Sequence, residues 1–222
     1  MGGIFALKVC VYAICKNESQ FVDRFMDSMS EADYVCVLDT GSSDDTVKKL
    51  RARGAIVGET VVSPWRFDTA RNESLGLIPA DADICCAIDL DEQFHPGWRA
   101  ALERAWQPDT TRARYRYTWS FRPDGSEGMV FWADKIHKNG CYRWASPVHE
   151  TLSYTGEGAE RFVDAAGVQL DHHPDETKSR GQYLPLLELA VREDPQNDRN
   201  CHYLGREYMS VSYTHLTLPT IA

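Results

Sequence analysis

Asp83-Ile-Cys-Cys-Ala-Ile-Asp-Leu-Asp-Glu92 is the stretch whose reading decides the fold. Its apolar run, Ile84 to Ile88, is short and β-branched at both ends, which reads as a buried strand. The run ends on two carboxylates, Asp89 and Asp91, with Leu90 between them. A buried strand that stops on Asp-x-Asp places negative charge at the carboxyl edge of a sheet. That edge is where open α/β sheets bind ligands. Two hard oxygen ligands there suit a divalent cation, and a divalent cation in turn suits a diphosphate.

Upstream of this stretch, strands and helices alternate. Val9 to Ile14 is an apolar run that closes on the polar cluster Cys15-Lys-Asn-Glu-Ser19, and Phe21, Val22, Phe25, Met26 and Met29 then recur at helical spacing. Tyr34 to Leu38 is a second strand, followed by Asp39-Thr-Gly-Ser-Ser-Asp-Asp45, with Ser43 as N-cap of a helix through Arg53. Ala55 to Val57 is a short third strand, and Asp68 caps a helix carrying Ala70, Leu75 and Leu77. Repeated βα units imply a mostly parallel sheet with helices on both faces.

Downstream, a helix is expected from Pro96 to Trp106, after which the pattern changes. Arg114 to Phe121, Met129 to His137, Tyr142 to Leu152 (kinked at Pro147) and Val168 to His172 read as strands of a partly antiparallel extension. Lys178 to Tyr208 holds two helical segments around Pro195, a helical hairpin of the kind that can open a repeat array. Ser210 to Ala222 carries no charge and no helical period and is set aside as a non-native tail, the natural chain then continuing past Met209. The expected organisation is a domain over residues 1–177, a helical extension over 178–209, and the tail over 210–222.

The chain has 222 residues, 43% of them hydrophobic, and a net charge of −9. That length supports one full core with a small appendage. The charge excludes a general nucleic-acid binder, which needs a basic face. No apolar stretch approaches a membrane span, and the start, Met1 to Cys15, interrupted by Lys8, reads as a strand rather than a signal peptide. Seven cysteines, none in CxxC spacing and four of them (Cys10, Cys36, Cys85, Cys86) inside strand-like runs, read as buried reduced thiols of a cytoplasmic protein.

Three constellations carry chemistry. A carboxylate at a strand end, Asp39, can accept from a base N–H or a ribose hydroxyl, and Gly41 lets the backbone turn closely. In Trp65-Arg-Phe-Asp-Thr-Ala-Arg-Asn-Glu73, Arg71 and Asn72 share one helical turn, and Arg71 can reach a phosphate or a base. The third is Asp89-Leu-Asp-Glu92. Each has a plain structural reading beside it: a capped turn, a solvated helix face, an acidic loop.

In this order, Cys15-Lys-Asn-Glu18, Asp39-Thr-Gly-Ser-Ser-Asp44, Ala70-Arg-Asn72 and Asp89-Leu-Asp-Glu92, with Val148-His-Glu150 and His172-His173 later, the chain resembles the family 2 glycosyltransferases of the GT-A fold. Within that family it is most similar to the bacterial branch of lipopolysaccharide-core glucosyltransferases and their tetratricopeptide-repeat fusions. The likeness covers about residues 8–175 and implies a Rossmann-like mixed sheet flanked by helices, with a short C-terminal helical hairpin. It implies a nucleotide-sugar donor, UDP-linked in most of the family. Asp39 would then hold the base, with Cys15, Asn17, Glu18 and Gly41 lining the same pocket. Arg71 would sit near base or diphosphate, and Asp89 would contact ribose or the metal shell. Asp91 would ligate Mn²⁺ or Mg²⁺, assisted by His172, with His173 as the rival. Leu90 stands where alanine is commoner, which leaves both carboxylates in place.

An inverting transfer needs a base, for which Glu150 is the candidate. Its plain alternative is a structural carboxylate bonded to neighbouring backbone or to Arg143. Trp144 could be a sugar-stacking platform and His149 a supporting donor, but for each the core role is the preferred reading. The acceptor would be a hydroxyl of a glycan, a lipid-linked molecule or a protein, with peripheral association at the inner face of a membrane if the acceptor lies there. The rival readings are a non-catalytic nucleotide- or sugar-binding or scaffold module, and a nucleotidyltransferase. The latter is disfavoured because the loop after the first strand has one lysine and no glycine.

Overall fold

The computed structural model describes residues 7–175 and 183–214. Its centre is an eight-stranded sheet in the order β3-β2-β1-β4-β7-β6-β10-β5. The first four strands are β1 (Val9–Cys15), β2 (Tyr34–Asp39), β3 (Ile56–Glu59) and β4 (Ile84–Ala87), all parallel. β1 is buried at every position, as a strand covered on both faces must be, and this explains its unbroken apolar sequence. The helices α1 (Val22–Ser28), α2 (Thr46–Ala52) and α3 (Phe67–Ser74) connect these strands.

The rest of the sheet is mixed. β5 (Glu92–Phe94) forms the far edge, antiparallel to β10 (Phe162–His172), and α4 (Trp98–Ala105) follows it. β6 (Arg112–Thr118) and β7 (Val130–Lys138) form an antiparallel hairpin, with β7 also antiparallel to β4 and β6 parallel to β10. Phe94 stacks on Trp98 with ring centres 4.4 Å apart, locking α4 onto this edge. The main core runs from Val22, Phe25 and Met29 across β1 and β4 to Trp98, Leu102 and Leu170. The alternating βα order of the first half and the partly antiparallel second half are the architecture expected from the sequence. All seven cysteines are free thiols, and Cys10 and Cys36 lie with their sulfurs 3.5 Å apart in the core.

Several boundaries differ from the sequence reading, each for a local reason. The helix expected from Ser43 starts at Thr46; Ser43 instead donates its backbone N–H to Asn17 Oδ1 at 2.8 Å, and Asp44 accepts from the Thr46 N–H at 3.0 Å. Asp68 lies inside the first turn of α3, paired with Arg66 at 2.8 Å, rather than capping it. Tyr142 to Leu152 is not one kinked strand but an antiparallel pair, β8 (Tyr142–Ala145) and β9 (Thr151–Tyr154). The intervening Ser146-Pro-Val-His-Glu150 is its turn, with positive φ at Ser146 (80°) and His149 (51°).

Two helices, α5 (Tyr183–Glu193) and α6 (Asp198–Thr214), form the expected hairpin. They dock on that turn through Val148, Leu186 and Leu187. α6 continues through Thr214, into the stretch read as a tail without helical period. The expected boundary at 177–178 and the remainder of the tail, 215–222, lie outside the described residues.

Candidate active site

The loops after β1 and β2 are stitched together at the carboxyl edge of the sheet. Asp39 Oδ1 accepts the backbone N–H groups of Gly41 (2.9 Å) and Ser42 (2.8 Å), and its Oδ2 accepts from the Ser42 hydroxyl and from Cys15 Sγ (3.4 Å). Gly41 makes the turn possible with φ of 103°, a value side-chain-bearing residues rarely adopt. Asn17, itself at φ 54°, donates its N–H to Ser42 Oγ at 2.7 Å, and the Glu18 N–H donates to Thr46 Oγ1 at 2.8 Å. Cys15, Asn17, Glu18, Asp39 and Gly41 therefore form one wall, in which the Asp39 carboxylate organises the backbone.

A second centre forms around Arg71, which is 5% exposed on α3. Its Nη2 donates to both oxygens of Asp89, at 2.9 and 3.0 Å, and its Nε donates to Glu150 Oε1. One guanidinium thus ties the end of β4 to the β8–β9 turn. Lys135 on β7 adds a second cation, 3.6 Å from Asp89 and 3.7 Å from Glu92. Burial alone would favour the neutral acid at Asp89, but Arg71 and Lys135 outweigh it and hold the carboxyl down at about 2. The opposite holds for Glu92, which is 2% exposed: burial raises its pKa despite Lys135, while its Oε1 accepts the Tyr117 hydroxyl at 2.6 Å and its Oε2 the Asp89 N–H at 2.8 Å.

The third centre is Asp91 with His172. The last residue of β10 brings its Nε2 to 3.4 Å from Asp91 Oδ2, and its Nδ1 lies 3.1 Å from the Trp119 carbonyl. Because a carbonyl can only accept, Nδ1 carries the proton in the neutral ring and Nε2 is left with its lone pair toward Asp91. Burial disfavours the imidazolium, but Asp91 overrides it and raises the His172 pKa, so a metal binding there competes with a proton. His173 faces elsewhere: its ring stacks on Phe121 at 5.1 Å, and its backbone N–H donates to the Asp91 carbonyl at 2.8 Å.

Among the described residues no cluster of three or more His, Cys, Asp or Glu side chains has metal-binding geometry. The pair Asp91 and His172 fits a divalent ion that takes its remaining ligands from a diphosphate and water, since one carboxylate and one imidazole leave most of a six-coordinate shell open.

The structure decides against the acceptor-side readings of Trp144 and His149 and against Arg143 as the partner of Glu150. Trp144 is 4% exposed and cannot serve as a sugar platform. Its Nε1 donates to the Tyr12 hydroxyl at 3.0 Å, and the Arg71 guanidinium lies over its ring at 5.0 Å. It is the floor under Arg71. His149 stacks on Tyr203 of α6 at 3.9 Å, and its carbonyl accepts from Arg199 at 2.5 Å, so its role is to hold the helical hairpin. Glu150 is bonded to Arg71, not to Arg143 as its structural alternative supposed. Glu92 stood in the Asp89-Leu-Asp-Glu92 constellation without a role of its own, and Lys135 was missed; it sits on β7, where only the pairing with β4 and β6 reveals its company.

No protein-family model matches the chain. Among solved structures it is similar to glucosyl-3-phosphoglycerate synthase from Mycobacterium tuberculosis in complex with Mn²⁺, UDP and phosphoglyceric acid, at 26% identity over 50% of this chain and 44% of that one, with a TM-score of 0.42. The same synthase with Mg²⁺ and UDP gives the same identity, coverage and score, 26%, 50% and 44%, and 0.42. The match spans less than half of the synthase's length. A mycobacterial protein matches more of the chain, 82% of it and 71% of the other, at 15% identity and a TM-score of 0.52. This last likeness is one of fold, a curled mixed sheet flanked by helices. Among the described residues no helix is long and apolar enough to cross a membrane.

Proposed function

We propose that this chain is a metal-dependent glycosyltransferase that moves a sugar from a UDP-linked donor to an acceptor hydroxyl with inversion. The observation that carries the reading is the convergence of Asp91 and His172, from opposite halves of the chain, to 3.4 Å at the carboxyl edge of the sheet. Asp89, Arg71 and Glu150 stand linked beside them. The Asp39 wall supplies the nucleotide end and the Asp91–His172 pair the diphosphate end.

When bound, a divalent ion would neutralise the charge that grows on the leaving diphosphate. Asp91 and His172 would hold it. Arg71 fixes the Asp89 and Glu150 carboxylates in one orientation and offsets their charge. With Oε1 engaged by Arg71, Glu150 Oε2 would take the acceptor's hydroxyl proton as that oxygen bonds to the anomeric carbon. The bond from that carbon to the diphosphate oxygen breaks at the same time, its electron pair leaving on the diphosphate.

Calorimetric titration with UDP, and with GDP as control, tests the donor site. UDP is expected to bind only with Mn²⁺ or Mg²⁺ and to lose binding in Asp91→Asn. Metal-independent binding, or binding that Asp91→Asn retains, would remove the metal assignment. The grip of Arg71 on Glu150 favours one second reading, a domain that binds nucleotide without turning it over. UDP binding with neither transfer nor slow hydrolysis of UDP-sugars would establish that reading instead.

A further inference from the structure

Beside the Asp91–His172 pair opens a cleft of about 420 Å³ that none of the assigned donor residues other than His172 lines. Its walls include Phe21, Arg24, Trp119, Phe121, His172 and His173. Trp119 is 40% exposed and lies nearly parallel to the His172 imidazole, 4.4 Å away and inclined by 25°. Phe121 stacks on His173, and Trp119 connects through the buried Tyr117 to Phe131, which is 43% exposed. Flat aromatic faces held in place by stacking on imidazoles are unusual on a surface, where they cost solvation unless something covers them.

Arg24 is the cation of this cleft, with the Asp91 carboxylate near enough to act on it. Arg24 lines it, its guanidinium 4.5 Å over the Phe21 ring and its Nη2 donating to the His173 carbonyl at 2.8 Å. Its Nε is buried and has no hydrogen-bond partner among the described residues. No carboxylate is among the lining residues.

We propose that this cleft is the acceptor subsite and that its occupant is a saccharide bearing an anionic substituent. The C–H faces of a sugar ring suit the Trp119 indole, and the positive charge of a guanidinium suits a phosphate or carboxylate. The position places an acceptor hydroxyl next to the metal pair, where the anomeric carbon of a bound donor would lie. Trp119 thereby takes the stacking role for which the buried Trp144 is unsuited. The assignment rests on the proposed donor site, but its own test does not.

Saturation-transfer NMR on the Mg²⁺- and UDP-loaded protein checks it, with glucose 6-phosphate, methyl glucuronide and methyl glucoside as probes. Both anionic probes should show saturation of their ring protons, and the neutral glucoside less. Trp119→Ala should weaken the anionic probes about tenfold, and Trp119→Tyr, which keeps a ring, should restore most of the loss. Arg24→Ala should level anionic and neutral probes. Trp132 alternates with Phe131 along β7 and so lies on the other face of the pleat, and Trp132→Ala should bind as the parent does. Calorimetry of UDP on each variant separates the two readings. Saccharide binding through Trp119 in a protein that does not bind UDP would sink the donor assignment and leave the cleft. The cleft assignment is overturned by UDP binding with no saturation of any probe, by saturation that survives Trp119→Ala, or by Trp119→Ala and Arg24→Ala weakening UDP as much as saccharide.

Discussion

A guanidinium buried as deeply as Arg71 must have its charge answered, and the two groups that answer it are the carboxylates the proposed reaction needs. Removing one partner of such a buried set costs far more than exposed ion pairs suggest, on the order of 3–5 kcal/mol. Substitution at Glu150 can avoid most of this penalty. In Glu150→Gln the amide oxygen still accepts the Arg71 Nε–H, so the turn keeps its anchor while the basic oxygen is lost. Turnover is expected to fall about 10²–10⁴-fold, the usual contribution of a general base, with UDP affinity and the melting temperature close to the parent's. Steady-state kinetics beside calorimetry check this. If turnover is unchanged, Glu150 serves only Arg71. The motif carboxylates were legible in the sequence because Asp39, Asp89 and Asp91 end or closely follow strands whose apolar runs announce them. Lys135, and Trp119 against His172, were not, because nothing in their own segments marks them; the non-local pairing of β7, β6 and β10 brings them there.

At the scale of elements, the β8–β9 turn shows where sequence reading runs out. Positive φ normally announces itself with glycine, yet here Ser146 and His149 adopt it, so the turn looked like a continuous kinked strand. β5 is three residues long and includes the buried Glu92, which leaves no alternation to detect. The parallel strands were easy by contrast, since burial on both faces makes their apolar runs unbroken. What overrides local propensity at the turn is tertiary support: the Phe67 N–H donates to the Pro147 carbonyl at 3.0 Å, Val148 packs on Leu186 and Leu187, and His149 stacks on Tyr203. The helical hairpin is therefore a brace for the turn that carries Glu150. Tyr203→Ala should cost about 1 kcal/mol, the value of one aromatic pair, and speed amide exchange at Val148 to Glu150. Turnover should fall while UDP affinity holds. Hydrogen exchange read by mass spectrometry decides it; unchanged protection of the turn would mean the hairpin merely rests there.

Across the whole molecule a hydrogen-bonded line runs from the middle of the sheet to the site. His137 on β7 is 1% exposed, its Nε2 lies 2.8 Å from the Tyr12 hydroxyl, and its Nδ1 lies 3.0 Å from the Lys138 carbonyl. That carbonyl fixes the proton on Nδ1, so Nε2 accepts from Tyr12, whose oxygen in turn accepts from Trp144 beneath Arg71. Every partner is satisfied only while His137 is neutral. Burial, aided by the charge of Arg112, pushes its pKa down to about 4 from the ordinary 6.5. The unfolded chain takes up this proton as pH falls through about 6.5, whereas the folded chain resists until about 4. The contribution of His137 to stability is thus full above the unfolded value and lost as pH falls across that window, a change of about 3 kcal/mol in all. His172 works in the other direction: its raised pKa adds stability that is constant through the decline below pH 6.5 and is lost as pH rises through the folded value. Urea unfolding at pH 6.5 and 5.0 should show a loss of about 2 kcal/mol for this reason alone, and His137→Gln should flatten that part of the slope whatever its own stability. A slope that His137→Gln leaves as steep as the parent's would mean that the imidazole takes up its proton in the folded core, and that the line from His137 to Arg71 tolerates a charge at its inner end.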